Sequence, residues 1–156
     1  MPLRLNLIDD QIRFNGFVVF RTSDISRIGE KRTEFLSRVL RLRNDHMQFL
    51  EEVDSRDIFS VLKSVGNKFK VISVHHEAKN PDTCVVGRIR LLTDKTVVLD
   101  WISPVGVWDG STVTLDIADI TRIDFGGGYE EALSLSSSLR KARGFHSCHF
   151  SEVDSA

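Results

Sequence analysis

The segment Thr112-Val113-Thr114-Leu115-Asp116-Ile117 alternates polar and apolar residues without a break. Only an extended strand with one face in a core and the other in water has that period of two, so this stretch commits the chain to β structure. Val113, Leu115 and Ile117 are assigned to the core, and Thr112, Thr114 and Asp116 to solvent. The same reasoning places strands at 69–77, 84–92, 96–102 and 121–125 around the one at 111–117. Val85, Ile89 and Leu91 share one face of 84–92, with Gly87 at the same parity allowing a bend or a close backbone approach. After the polar turn Thr93-Asp94-Lys95, the residues Val97, Leu99 and Trp101 make the next inward row. Between the last two strands, Ala118-Asp119-Ile120-Thr121 has room for a single 3₁₀ turn.

Strands at these positions, with a helical turn before the last, resemble an SH3-like or Sm-like small β-barrel. The residues that carry the resemblance are Gly87, Ile89, Thr96, Val97, Leu99, Asp119, Ile120 and Ile123. It implies a closed five-stranded barrel over 68–126, and it says little about function, because small barrels host many unrelated activities.

Part of the pattern occurs twice. Ser23-Asp24-Ile25-Ser26-Arg27-Ile28 matches Ala118-Asp119-Ile120-Thr121-Arg122-Ile123, and Arg4 to Asp10 parallels Arg88 to Asp94. The two alignments differ in offset, which places an insertion around Trp101 to Ser111. Residues 1–30 are therefore expected to form a partial barrel repeat, with strands at 3–8, 11–15, 17–22 and 25–28. It lacks a counterpart of strand 69–77, and such a gap leaves an open edge to be covered or paired.

The middle, 31–67, reads as a helical connector. Phe35, Leu36, Val39 and Leu40 share one helix face, with Thr33 as N-cap. A second helix begins near Asp54 or Ser55, turns Ile58, Phe59, Leu62 and Val65 inward, and stops at Gly66. A third helix, within 127–143, buries Tyr129, Ala132, Leu133 and Leu139, and 144–156 reads as a mobile tail. The fold class expected is α+β: a five-stranded small barrel, a partial N-terminal copy and three helices.

Composition narrows the function. The 156 residues carry a formal net charge of −1, which gives no pull toward nucleic acid or an anionic membrane. Arg38, Arg41 and Arg43 are followed by Asp45, Glu51 and Glu52, the pattern of a solvated helix face. Sm-type RNA binders carry a glycine after the arginine of their second motif, and Thr121-Arg122-Ile123-Asp124 does not; their first motif is missing near 93–100. No apolar run is long enough to cross a membrane, and the start has no secretory signal pattern. With only Cys84 and Cys148, a reducing cytoplasm is the expected compartment.

Each group that suggests chemistry has a plainer reading beside it. Gly126-Gly127-Gly128 precedes a helix, where amides cradle anions, but Glu130 and Glu131 would repel phosphate. His75 and His76 are adjacent on a strand and point to opposite faces, so they cannot share one metal ion. His146, Cys148 and His149 supply three ligands at most. A Cys84–His76 nucleophile pair lacks an orienting third group. No catalytic residue, metal site or cofactor is assigned.

The candidate binding residues lie in the apolar insertion: Trp108, with Pro104, Val105, Val107 and Asp109. An aromatic anchor in a loop is a common binding device. The function expected is a non-catalytic binding or assembly module, forming a homodimer through the unpaired N-terminal edge and open to a protein partner. Two other classes stay in play: a nucleic-acid-associated accessory protein, and a small enzyme with a cleft between barrel and partial repeat.

Overall fold

The computed structural model describes residues 1–29, 33–47 and 53–142. Its strands are β1 (Leu3–Ile8), β2 (Phe14–Phe20), β3 (Ile72–His75), β4 (Cys84–Leu92), β5 (Thr96–Ile102), β6 (Trp108–Asp116) and β7 (Arg122–Phe125). All pair antiparallel in one open sheet of order β1-β2-β7-β3-β4-β5-β6. Three helices accompany them: α1 (Glu34–Leu42), α2 (Ile58–Lys68) and α3 (Gly128–Ala142). No helix of the described residues is long and apolar enough to cross a membrane.

The expected closed five-stranded barrel is not formed, although the class is α+β. The reason lies at β7. One of its edges pairs with β3, where Ile72 faces Phe125, and the other pairs with β2, where Phe17 faces Phe125. A strand has two hydrogen-bonding edges, so β6 finds no strand to close onto. The Phe17 and Phe125 rings stack across this junction with centroids 5.6 Å apart, and Phe69 adds a tilted contact at 5.1 Å. The sheet therefore ends at β1 on one side and β6 on the other.

The alternation that opened the sequence reading fixes the register here. Leu115 faces Val97 and Val113 faces Leu99, while Thr112 and Thr114 stay exposed. The strand begins earlier than expected, at Trp108, and ends at Asp116, so Ile117 opens the 3₁₀ turn Ile117–Asp119. Strand 69–77 shortens to Ile72–His75. At the N-terminus, 11–15 is mostly turn and 25–28 is not a strand; β2 spans 14–20 instead.

Two apolar layers sandwich the sheet. On one face Val19, Ile72, Val74, Val97, Leu99, Leu115, Ile123 and Phe125 meet Ile58, Val61, Leu62 and Val65 of α2. Asp57 starts that helix, its carboxylate accepting from Ser60 N at 2.7 Å. Gly66 does not stop α2. It lies within the helix because a Cβ there would come 2.9 Å from Ile89 Cδ1, so it permits close approach to β4. On the other face Val71, Val86, Ile102 and Leu133 of α3 form a smaller cluster. Along α3 the buried residues are Glu130, Leu133 and Ser137, not Tyr129 or Ala132, and the Leu139 side chain lies outside the described residues, as do 143–156.

Helix α1 is different. It has the expected apolar face, but none of its residues is buried, and the Thr33 side chain makes no capping bond. Its end is tied to the β1–β2 turn. Arg43 Nη1 donates to the carbonyls of Gln11 and Ile12, and Asp45 Oδ2 accepts from Phe14 N at 3.1 Å. Within that turn Ile12 is held at φ 58°, a conformation β-branched residues rarely take. Asp9 Oδ1 supports it by accepting from Gln11 N and Arg13 N, each at 3.0 Å.

Candidate functional site

The sheet end at β1 carries a groove of roughly 590 Å³. Its floor is apolar: Leu3 and Leu5 of β1 with Phe20 of β2, placed on one face by the pairing of Leu3 with Phe20 and Leu5 with Val18. Ile25 and Ile28 close the far side, and Asp24, Arg27 and Glu77 stand on the rim. Arg21 is committed elsewhere, donating to Ile117 O at 2.8 Å and to Ala118 O at 2.5 Å. Leu5 is 45% exposed and Ile28 76% exposed. Among the described residues β1 has one paired neighbour strand, β2, and stands at the end of the sheet.

The segment after Asp24 explains this opening. Thr22–Asp24 and Ile117–Asp119 are both single 3₁₀ turns, each followed by an extended isoleucine whose amide bonds back into the turn. After Ile120 the chain enters β7 between β2 and β3. After Ile25 it finds no such slot, and Ile25 and Ile28 line the groove instead of pairing.

On the same face, further along the sheet, lies a polar cluster. Arg122 and Asp124 share a parity on β7 and form a fork, with Nε to Oδ1 at 2.7 Å and Nη2 to Oδ2 at 2.6 Å. His75 Nε2 stands 3.3 Å from Asp124 Oδ2. Ser73 Oγ donates to the buried Glu130 at 2.6 Å. Burial opposes ionisation of Asp124, but hydrogen bonds from His75 and Arg122 outweigh it and hold the carboxyl below its ordinary range. Asp124 is thereby a satisfied anion, not a poised base.

Cys84 sits opposite His75 across the β3–β4 ladder, so the pair weighed and set aside from sequence, Cys84 with His76, is not the one the register makes. The thiol is poorly set for attack. Burial, then the charges of Asp124 and Glu130, raise its pKa, and Arg122 only partly offsets them. His76 lies beyond the end of β3, its Nδ1 buried without a hydrogen-bond partner. It lines a separate cavity of roughly 310 Å³ in which Lys79 bonds Asp119 at 2.6 Å. Among the described residues no group of three or more His, Cys, Asp or Glu is placed to hold a metal ion. His146, Cys148 and His149 lie outside the described residues.

The glycine run makes a strand-to-helix reversal. Gly126 takes φ 69°, and the Gly128 amide donates to Asn15 Oδ1 at 2.7 Å, so a side chain from β2 occupies the helix start. A Cβ on Gly127 would come 2.8 Å from Glu130 Oε2, so a larger residue there would push that carboxylate aside.

The candidate residues at 104–109 are split by the fold. Trp108 is in β6 opposite Ile102, packed on the smaller core, with the Arg88 guanidinium 4.9 Å from its ring centroid. Ser103 closes the tight turn before it, donating from its amide to Val107 O at 3.0 Å and accepting from Val107 N on its hydroxyl at 3.1 Å. Pro104 and Val105 are exposed at the tip and Val107 is half-buried. Asp109 accepts from the Ser111 hydroxyl at 2.6 Å and the Ser111 amide at 2.8 Å, which lowers its pKa.

The groove at Leu3, Leu5, Phe20, Ile25 and Ile28 was not assigned from sequence as a site. Its signal was present in the alternation of Leu3, Leu5 and Leu7 on an unpaired strand. What was missing was the knowledge that 25–28 is not a strand. Compared with protein-family models, curated proteins and solved structures, the chain matches none.

Proposed function

We propose that the chain is a non-catalytic assembly module that pairs with a second copy of itself along β1. The observation that carries this reading is the coincidence of an open strand edge with an apolar groove at the same end of the sheet. Backbone hydrogen bonds along the edge would supply affinity, and apolar side chains beside it would supply register. The polar cluster on β7 supports a non-catalytic role, because Asp124 is bound by Arg122 and the Cys84 thiol is held protonated.

The sequence of β1 favours one register. With Leu5 opposite Leu5 of the partner subunit, Leu3 meets Leu7 and Arg4 meets Asn6, which keeps the leucines on one face. Moving the axis onto Arg4 sets like charges face to face, which is destabilising. A slip that pairs Leu5 with Arg4 mixes the two faces. Two-fold pairing is also the commonest closed symmetry.

Sedimentation equilibrium at micromolar concentration tests the reading. The expected mass is twice the 17.7 kDa of one chain, falling to one chain in Leu5→Asp. A native mass of one chain, unchanged on concentration, would remove the proposal.

A further inference from the structure

The face of β4 and β5 turned away from α2 carries a small cluster with more cations than anions. Arg88 faces Asp100 across β4–β5, and Asp100 faces Thr112 across β5–β6, so the three stand in one row on neighbouring strands. Arg88 Nε donates to Asp100 Oδ2 at 2.7 Å. The guanidinium carbon of Arg88 lies 4.9 Å from the centroid of the Trp108 ring, which rests on the smaller core. Arg90 meets the other oxygen of the same carboxylate, with Nη1 3.4 Å from Oδ1. It falls where the β4–β5 register shifts and has no residue opposite it, and a bulge of this kind re-aims a side chain.

Two guanidiniums share one carboxylate here, which leaves one positive charge unmatched within the cluster. The anion is recessed and the cations stand out: the Asp100 side chain is 16% exposed, against 50% for Arg88 and 60% for Arg90. Solvent therefore meets the positive groups first. Arg88 is fixed by Asp100 at its Nε and by Trp108 across its plane, and among the described residues its Nη groups have no acceptor. A guanidinium held in this way loses little freedom when it takes a ligand. We propose that Arg88 and Arg90 together bind a phosphate-class oxyanion. The site lies on β4, well along the sheet from β1, and is independent of pairing there.

The donor set selects the class of anion. A guanidinium presents parallel N–H groups that match the oxygens of a carboxylate or a phosphate. One fork satisfies a planar carboxylate, whereas a tetrahedral phosphate has oxygens left over for a second guanidinium beside it. Trp108 is taken up by Arg88 and the smaller core, so it orients the guanidinium rather than stacking on a base. The chemistry recognised is thus the phosphate group itself, as the free ion or as a small ester. Both arginines are solvated, so binding weakens as salt rises.

Titration of the full chain with inorganic phosphate at constant ionic strength tests the site, read by tryptophan fluorescence and by arginine Nε–H signals in NMR. The expected result is a saturable change at Trp108 and at Arg88. Arg90→Gln, which keeps the Arg88–Asp100 bond, should weaken it about tenfold by removing one charge-assisted contact. Arg56→Gln removes the same charge from an exposed pair elsewhere and should bind as the native chain does. Circular dichroism verifies that both variants fold. O-phosphoserine, titrated in parallel, separates an ester from the free ion, and saturation by either one supports the site. Acetate that binds as tightly as phosphate would overturn the phosphate class. No saturable response to phosphate or its ester, or an Arg90→Gln chain that binds as tightly as the native one, would overturn the site.

Discussion

Residues 1–47 and residues 53–138 belong to one sheet, yet they treat their apolar side chains in opposite ways. Among the described residues, seventeen of the twenty buried hydrophobic side chains lie from Val53 onward, and only Phe17, Val18 and Val19 lie before it. Of the eleven large hydrophobic residues left exposed, seven lie in 1–47: Met1, Leu5, Ile8, Ile28, Phe35, Leu42 and Met47. The later region has α2 on one face and α3 on the other, so its strands are covered twice. The earlier region contributes the inner strand β2 to that core and leaves β1, the groove and α1 outside it. Exposed apolar side chains grouped in one region, as they are here among the described residues, are the pattern of an interaction site.

The same substitution placed in both regions should separate them most strongly. Leu115→Asp puts a charge between Val97 and the α2 layer and should cost more than about 3 kcal/mol, enough to abolish cooperative unfolding at 25 °C. Leu5→Asp, on the exposed edge, should leave the fold intact and shift stability by about 0.5 kcal/mol or less under dilute conditions. Thr114→Asp, next to Leu115 but facing water, should behave like Leu5→Asp. Thermal melts followed by circular dichroism would decide it, and similar midpoints for Leu115→Asp and Thr114→Asp would break the register assigned to β6.

A smaller effect sharpens the contrast from the N-terminal side. Ile12 is held at φ 58° so that the β1–β2 turn can receive Arg43. Glycine takes that conformation without steric cost, but it loses more entropy on folding, so Ile12→Gly should stabilise by only about 0.5 kcal/mol. Urea midpoints measure it. A loss of stability would show that the isoleucine side chain contributes more than its backbone strain costs.

How much of this was legible in the sequence follows the same division. β4 and β5 were placed to the residue, because Val85, Ile89, Val97 and Leu99 face a core in their own chain and alternation reports that directly. β1 was legible from alternation alone, Leu3, Leu5 and Leu7 taking turns with Arg4 and Asn6. Closure was not legible, because whether β7 pairs with β6 or with β2 depends on a long-range choice that no local pattern records. Ile25 to Ile28 matches Ile120 to Ile123, where the chain enters β7, but has no slot between two strands, so its composition pointed to a strand the fold does not make. Trp108 was read as a loop anchor because the apolar run around it hid where β6 begins; its ring rests on the second core, under Arg88. Gly66 was read as a helix stop, since a sequence does not show that the Ile89 side chain packs closely against it inside the helix. The polar cluster of Arg122, Asp124 and His75 needed the β3–β7 register, in which His75 faces Arg122.

The central claim is that the N-terminal region is completed by a second copy. Hydrogen–deuterium exchange at two protein concentrations, one well below and one well above the dimer midpoint, tests it most directly. The account predicts that amides of β1 become slower to exchange at the higher concentration, while those of β4, β5 and α2 stay the same. Exchange of β1 that is identical at both concentrations would contradict it.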